Sequence, residues 1–152
     1  MNRREFSALL PLLAAVGALS PAAMGAQHAP PGPNKLVSGR YPEGPAPHPS
    51  ATGRVSRHIV LGMLPDDIRL EAHHTTLEPG AGWEPVGTHK HTEMWLVTDG
   101  QVNLMTDGET QILKKGDMGI CVAGDKHSVS NASKTEPCSY FVVCVGPPEQ
   151  AV

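Results

Sequence analysis

Short runs of apolar and β-branched residues, separated by turn signals at regular spacing, fill the chain from about residue 53 onward. No segment there holds a helical period over the length of a helix, so the pattern predicts strands throughout. The expected strands are Val55–Leu61, Ile68–Leu77, Thr88–Thr98, Gln101–Thr106, Glu109–Lys114, Met118–Val122, His127–Asn131 and 138–145.

Two Asp-Gly pairs, at 99–100 and 107–108, are strong signals for tight hairpins. The first predicts a hairpin between the strand that ends at Thr98 and the strand that begins at Gln101. The second predicts a hairpin that leads into Glu109. Short strands joined by tight turns, without helices, are typical of an all-β domain built as a jelly-roll barrel or a sandwich.

The first 26 residues carry the pattern of a cleavable export signal. Arg3 and Arg4 precede an apolar run, Ala8–Leu19, which is shorter than the ~20 residues of a membrane-spanning helix. The stretch Arg3-Arg4-Glu5-Phe6 resembles the twin-arginine signature, which implies export of a folded protein across a bacterial inner membrane. We therefore expect a periplasmic or secreted protein without a stable membrane span; an ordinary Sec signal is the alternative.

The remaining chain divides into three parts by composition. Residues 27–52 are dense in proline and predict an extended arm or linker, residues 53–147 form one globular domain, and residues 148–152 form a tail. The signal carries a net charge of +1 from Arg3, Arg4 and Glu5, so the chain's −3 becomes −4 in the mature protein. This charge argues against a nucleic-acid partner.

Cys121, Cys138 and Cys144 are an odd number of cysteines, so an oxidising compartment leaves at least one thiol unpaired. Cys121 reads as a small buried residue on a strand. A Cys138–Cys144 disulfide stays open, because a sequence does not give the geometry that the bond requires.

Ionisable residues share a face with core residues on the third predicted strand. Alternation places His89, His91 and Glu93 on the same side as Trp95 and Val97, which belong in a core. Burying two imidazoles and a carboxylate costs several kcal/mol without a compensating group. A divalent ion such as iron, zinc, nickel or manganese accepts these ligands; a metal-free pocket with mutual hydrogen bonds is the alternative.

A second stretch, "GDMGICVAGDKHSVSN" at Gly116–Asn131, resembles the second motif of the cupin family, with Val122 at the usual proline position. It places His127 directly after a glycine turn, where a further metal ligand is expected. Glu93 and Gly100 keep the spacing of the first cupin motif. The resemblance covers about residues 79–145 and implies a cupin double-stranded β-helix.

The first motif departs from the family pattern upstream of Glu93. In one alignment His89 takes the place of the second family histidine and Gly87 that of the first, which leaves His91 as an extra histidine. In the other alignment, His89 and His91 are the histidine pair and the gap to Glu93 is shortened by two residues. The ligands are then either two histidines and a carboxylate with open positions, or three histidines and a glutamate.

The cupin resemblance implies an enzyme that acts on a small oxygen-bearing molecule, such as a dioxygenase, isomerase, lyase or decarboxylase. In this hypothesis His91 is a fourth ligand or a general base, and Trp83, Trp95 and His74 line the substrate pocket. The alternatives are a non-catalytic module that binds a small ligand or metal, and a metal-free structural barrel. Because cupin barrels commonly pair and the last strand is apolar, we also expect a homodimer.

Overall fold

The computed structural model of the chain describes residues 35–47, 50 and 52–148. The predicted export signal, residues 1–26, lies outside the described residues, as do residues 27–34 of the proline-rich segment and residues 149–152 of the tail. Within the described residues, no helix is long and apolar enough to cross a membrane.

The described chain is built from strands, with one short 3-10 turn at Pro65–Asp67 between the first two of them. Apart from the segment around residues 88–92, the predicted strands match the observed ones to within one residue at each end, except that the first strand continues three residues beyond Leu61. The strands are β1 (Arg54–Leu64), β2 (Ile68–Leu77), β3 (Gly87–Thr88), β4 (Thr92–Asp99), β5 (Gln101–Thr106), β6 (Glu109–Lys114), β7 (Met118–Cys121), β8 (Lys126–Asn131) and β9 (Cys138–Gly146).

The strands form two antiparallel sheets. The five-stranded sheet has the order β1-β2-β9-β4-β7, and the four-stranded sheet has the order β3-β8-β5-β6. Trp95 and Val142 of the first sheet and Val102 and Val129 of the second belong to one hydrophobic core, with exposures of 2% or less. Each such buried side chain stabilises the fold by about 1.5–3 kcal/mol. The predicted all-β jelly-roll fold is confirmed.

The prediction of one continuous strand over Thr88–Thr98 is wrong. The strand is interrupted at residues 89–91, because β3 pairs with β8 in the four-stranded sheet whereas β4 pairs with β7 and β9 in the five-stranded sheet. The chain therefore crosses between the sheets over these three residues. The alternation of side chains along a single strand does not hold across this segment, so it does not determine where His89 and His91 lie.

The predicted hairpin at Asp99–Gly100 is also wrong. β4 and β5 lie in different sheets and are not paired, so Gly100 forms a corner at which the chain passes from one sheet to the other. The second Asp-Gly pair does form the predicted hairpin, with Thr106 opposite Glu109. Asp107 and Gly108 there have φ angles of 46° and 89°, as a two-residue hairpin of this type requires.

Residues 35–47 lie along the outer strand β1. The Leu36 N–H donates to the Met63 carbonyl and the Gly44 N–H donates to the His58 carbonyl, both at 2.8 Å. A side chain at position 44 would meet the His58 carbonyl oxygen at 2.9 Å, so glycine allows this close approach. The described part of the proline-rich segment is thus held to the barrel by backbone hydrogen bonds.

The three cysteines are buried and none of them forms a disulfide bond. Cys138 and Cys144 are six residues apart on the same face of β9, a separation of ~20 Å along a strand. A disulfide requires Cα atoms within ~7 Å, so this fold excludes the Cys138–Cys144 pair. Burial raises the pKa of the Cys121 thiol to about 11, which keeps it protonated and unreactive.

Candidate metal centre

Three predicted ligands converge in one cluster. His89 Nε2 lies 3.6 Å from Glu93 Oε1, and His127 Nε2 lies 3.5 Å from Glu93 Oε2. One ligand atom from each of the three residues lies within 4.8 Å of the other two. The cluster joins both sheets, since Glu93 is on β4, His127 is on β8 and His89 is in the crossing segment between β3 and β4.

Gly87 lies beside this cluster. It pairs with His127 across β3 and β8, and a Cβ atom at position 87 would lie 3.1 Å from His89 Nε2 and 3.4 Å from His127 Cε1. A side chain at this position would therefore point at the cluster, as the first histidine of the family motif must. This geometry favours the alignment in which Gly87 replaces that histidine, and glycine leaves the space open.

His91 contacts the same carboxylate oxygen of Glu93 as His89 does. Its Nε2 atom is 2.9 Å from Glu93 Oε1, its exposure is 5%, and its ring stacks on His89 with the centroids 4.6 Å apart. His91, Glu93 and Cys144 form a second group, whose possible ligand atoms also lie close enough together to hold a metal ion. His91 is not among the residues that line the cavity. His91 thus contacts the cluster through Glu93, and its role as a fourth ligand or a general base stays a prediction.

A small cavity opens on the first cluster. Its volume is ≈ 170 Å³, well below the ~300–1,000 Å³ of sites for drug-sized ligands. Burial lowers the pKa of the His127 imidazole, against the opposing charge of Glu93, which favours the neutral form that binds metals. The residues that line the cavity are Arg54, His73, Glu84, His89, Glu93, Trp95, His127, Val129 and Val142.

Of the three predicted pocket residues, Trp95 lines the cavity and the other two do not. His74 points away from this cavity, on the face of β2 opposite to His73, with Nδ1 3.1 Å from Glu43 Oε1 and Nε2 3.3 Å from Thr98 Oγ1. Its neighbour His73 lines the cavity instead. Trp83 is 47% exposed and lines a separate groove, which shares Glu84 with the cavity.

Sequence analysis missed three polar residues near the cluster. Arg54 Nη2 donates hydrogen bonds to Glu84 Oε1 and to the Tyr140 hydroxyl, and the Tyr140 hydroxyl donates to Glu84 Oε1 at 3.2 Å. Glu84 comes from the loop "EPGAGWEPVG", where no strand pattern marks it. Glycine and proline on both sides identify a loop, but they do not show that one carboxylate in it turns inward.

A second charged cluster surrounds Glu71 on β2. Glu71 forms an ion pair with Arg69, and its Oε1 atom lies 3.6 Å from His73 Nδ1 and 3.7 Å from His58 Nδ1. The His73 imidazole lowers the pKa of the Glu71 carboxyl to about 2; partial burial opposes this effect, and Arg69 adds to it.

This lowered pKa predicts a loss of stability in acid. Because the pKa is depressed in the folded state, the stabilisation is fully present above about pH 4.5 and is lost as the pH falls towards 2. We expect Glu71→Gln to unfold more easily than wild type at pH 7, and the difference to shrink between pH 4.5 and pH 2. Urea unfolding of both metal-free proteins across this range measures it; a constant difference would contradict the assignment.

The fold and the His/Glu cluster together define a jelly-roll barrel with a candidate metal centre. Residues 73–144 match the family model of the cupin domain. No protein of curated function matches the sequence significantly. The matched segment covers 72 of the 152 residues, and the likeness to solved cupin structures shows that the chain shares their fold.

Three solved structures illustrate this likeness. KdgF from a Halomonas species has 17% identity and a TM-score of 0.59, over 75% of this chain and 97% of that one. An RmlC-like cupin from Shewanella frigidimarina has 16% identity and a TM-score of 0.54, over 76% and 93%. A predicted oxalate decarboxylase from Thermotoga maritima has 17% identity and a TM-score of 0.52, over 60% and 79%. At these identities the likeness shows the fold.

Proposed function

We propose that the protein binds one divalent metal ion through His89, Glu93 and His127. The observation that carries this proposal is the convergence of two imidazoles and a carboxylate, within 4.8 Å of one another, on a cavity. The donor set suits iron, zinc, nickel or manganese. Gly87 supports the fit, because the space that a fourth side chain would occupy stays open.

The cavity beside the ion would hold a small oxygen-bearing molecule. A bound divalent ion supplies Lewis acidity, or redox chemistry if it is iron. Trp95, Val129 and Val142 provide apolar walls that exclude water, while His73 and Glu84 bring further ionisable groups to the same cavity. These two side chains favour a metal-dependent enzyme over the alternative, a module that only binds its ligand, since acid–base catalysis needs such groups close to the reacting molecule.

The metal content of the wild-type protein tests the proposal directly. The protein is purified without a chelating tag and analysed by elemental mass spectrometry, before and after incubation with iron, zinc, nickel or manganese followed by gel filtration. About one equivalent of one of these metals is expected. Protein that holds none of them after incubation would overturn the proposed metal centre.

We further propose that the protein is exported and that two copies of it pair. Export rests on the twin-arginine-like sequence at Arg3 and Arg4, with the apolar run that follows it. Pairing of two copies is supported by apolar side chains exposed on β4 and β7, where Leu96, Met118 and Ile120 are 36%, 55% and 55% exposed. Contact between two copies would remove this apolar surface from water.

A further inference from the structure

Arg54 and Glu84 form an ion pair in the wall of the cavity. Arg54 Nη2 and Glu84 Oε1 make the hydrogen bonds within the pair and to Tyr140. Both residues line the cavity, so the atoms outside these bonds, Arg54 Nη1 and Glu84 Oε2, would serve as donor and acceptor for a molecule in it. Tyr140 is fully buried, and its hydrogen bonds hold the Arg54–Glu84 pair in place.

Glu84 is also held through its backbone. Its N–H donates to the Val129 carbonyl at 3.0 Å, and its carbonyl accepts a hydrogen bond from Ser128 Oγ at 2.7 Å. Both partners lie on β8, the strand that carries His127. The distance between the Glu84 backbone and the metal cluster is thus set by the sheet and not by a mobile loop.

The two ends of the cavity differ in charge. A divalent ion beside Glu93 leaves a net positive charge at the metal end, which favours an anionic oxygen ligand. The Arg54–Glu84 pair has no net charge, and its carboxylate would repel a second anion. A hydroxyl group suits this end, since it accepts a hydrogen bond from a guanidinium and donates one to a carboxylate.

We propose that the cavity binds a small hydroxycarboxylic acid, with its carboxylate at the metal and its hydroxyl group between Arg54 and Glu84. This inference rests on the proposed metal site. Trp95, Val129 and Val142 also line the cavity. In the strand register Trp95 and Val142 lie between Glu93 and Tyr140, so the part of the ligand that joins the two groups is apolar. A cavity of ≈ 170 Å³ restricts the ligand to a short carbon chain.

Matched ligands test the inference by calorimetry on zinc-loaded protein. Butyrate carries the carboxylate alone, while 3-hydroxybutyrate and 4-hydroxybutyrate add a hydroxyl at two positions. In wild type, at least one hydroxy acid is expected to bind on the order of tenfold more tightly than butyrate, as hydrogen bonds to charged groups contribute. In Glu84→Gln this advantage should fall several-fold, because an amide N–H₂ replaces the Oε2 acceptor of the hydroxyl proton, while the amide oxygen keeps the bonds to Arg54 and Tyr140.

Glu109→Gln serves as the control, since Glu109 is exposed on β6, and it should keep the full hydroxyl advantage. An equal advantage in wild type and Glu84→Gln would overturn the inference, as would a wild type that does not prefer either hydroxy acid. Metal content is measured on the same samples. Zinc-loaded wild type that binds none of the three acids overturns the inference alone, whereas failure to load zinc or any of the other three metals overturns the proposed metal site as well.

Discussion

Replacement of His127 by alanine is expected to empty the metal site, from about one equivalent in wild type to below about 0.1. His127 is one of two imidazoles in the cluster, and the Gly87 position opposite it offers no side chain to compensate. Two remaining ligands hold a divalent ion too weakly to survive gel filtration. Elemental mass spectrometry after incubation and gel filtration measures the loss, and circular dichroism checks that the β-sheet content is unchanged.

His91→Ala is the matched comparison, because His91 also contacts Glu93 but lies outside the cavity. A residue that orients a ligand typically changes metal affinity by about 10–100-fold. We therefore expect His91→Ala to reach nearly full occupancy at saturating metal and to lose the ion more readily to a chelator. If His91→Ala cannot be loaded and His127→Ala can, the ion belongs to the second group, His91, Glu93 and Cys144.

Replacement of Gly100 by alanine is expected to destabilise the fold by about 3 kcal/mol or more. A Cβ atom there would lie 2.5 Å from the Pro137 carbonyl oxygen and 2.8 Å from Cys138 Cβ. The φ angle of +68° adds backbone strain for any residue with a side chain. Because the nearest obstacle is backbone, relief requires the corner between the sheets to move. Thermal unfolding should show a drop on the order of 10 °C or more.

Gly116→Ala separates the two contributions. Gly116 has a φ angle of +92°, but a Cβ atom there meets nothing within 4 Å. Only the backbone strain is imposed, so a loss of about 1–2 kcal/mol is expected. Equal losses in the two variants would show that the close approach to Pro137 does not limit position 100.

The strands could be predicted from the sequence because their signals are local. Apolar runs and turn pairs located β5, β6 and β9 almost to the residue. The histidine motifs predicted His89, His91, Glu93 and His127, of which His89, Glu93 and His127 form one cluster. Which sheet a strand joins is set by contacts between distant segments. The Asp99–Gly100 pair therefore reads as a hairpin although it is a corner, and the break at residues 89–91 is hidden within an apparently continuous strand.

The same limit applies to the residues that line the cavity. Adjacent His73 and His74 must face opposite ways, but the inward one is fixed by the register of β2 against β9, which places His73 opposite the buried Val142. Glu84 belongs to an irregular loop and becomes part of the site only because its backbone bonds to β8. Neither the register of β2 against β9 nor the backbone bonds of Glu84 to β8 produce a periodic pattern in the sequence.

The proposed ligands come from both sheets, and this affects how an ion would leave the protein. Glu93 belongs to one sheet and His127 to the other, and the three cysteines form no disulfide between the sheets. An ion held by both residues would act as a reversible cross-link across the barrel. Its release rate would then depend on how often the two sheets separate, so metal exchange would report on the opening motions of the folded protein.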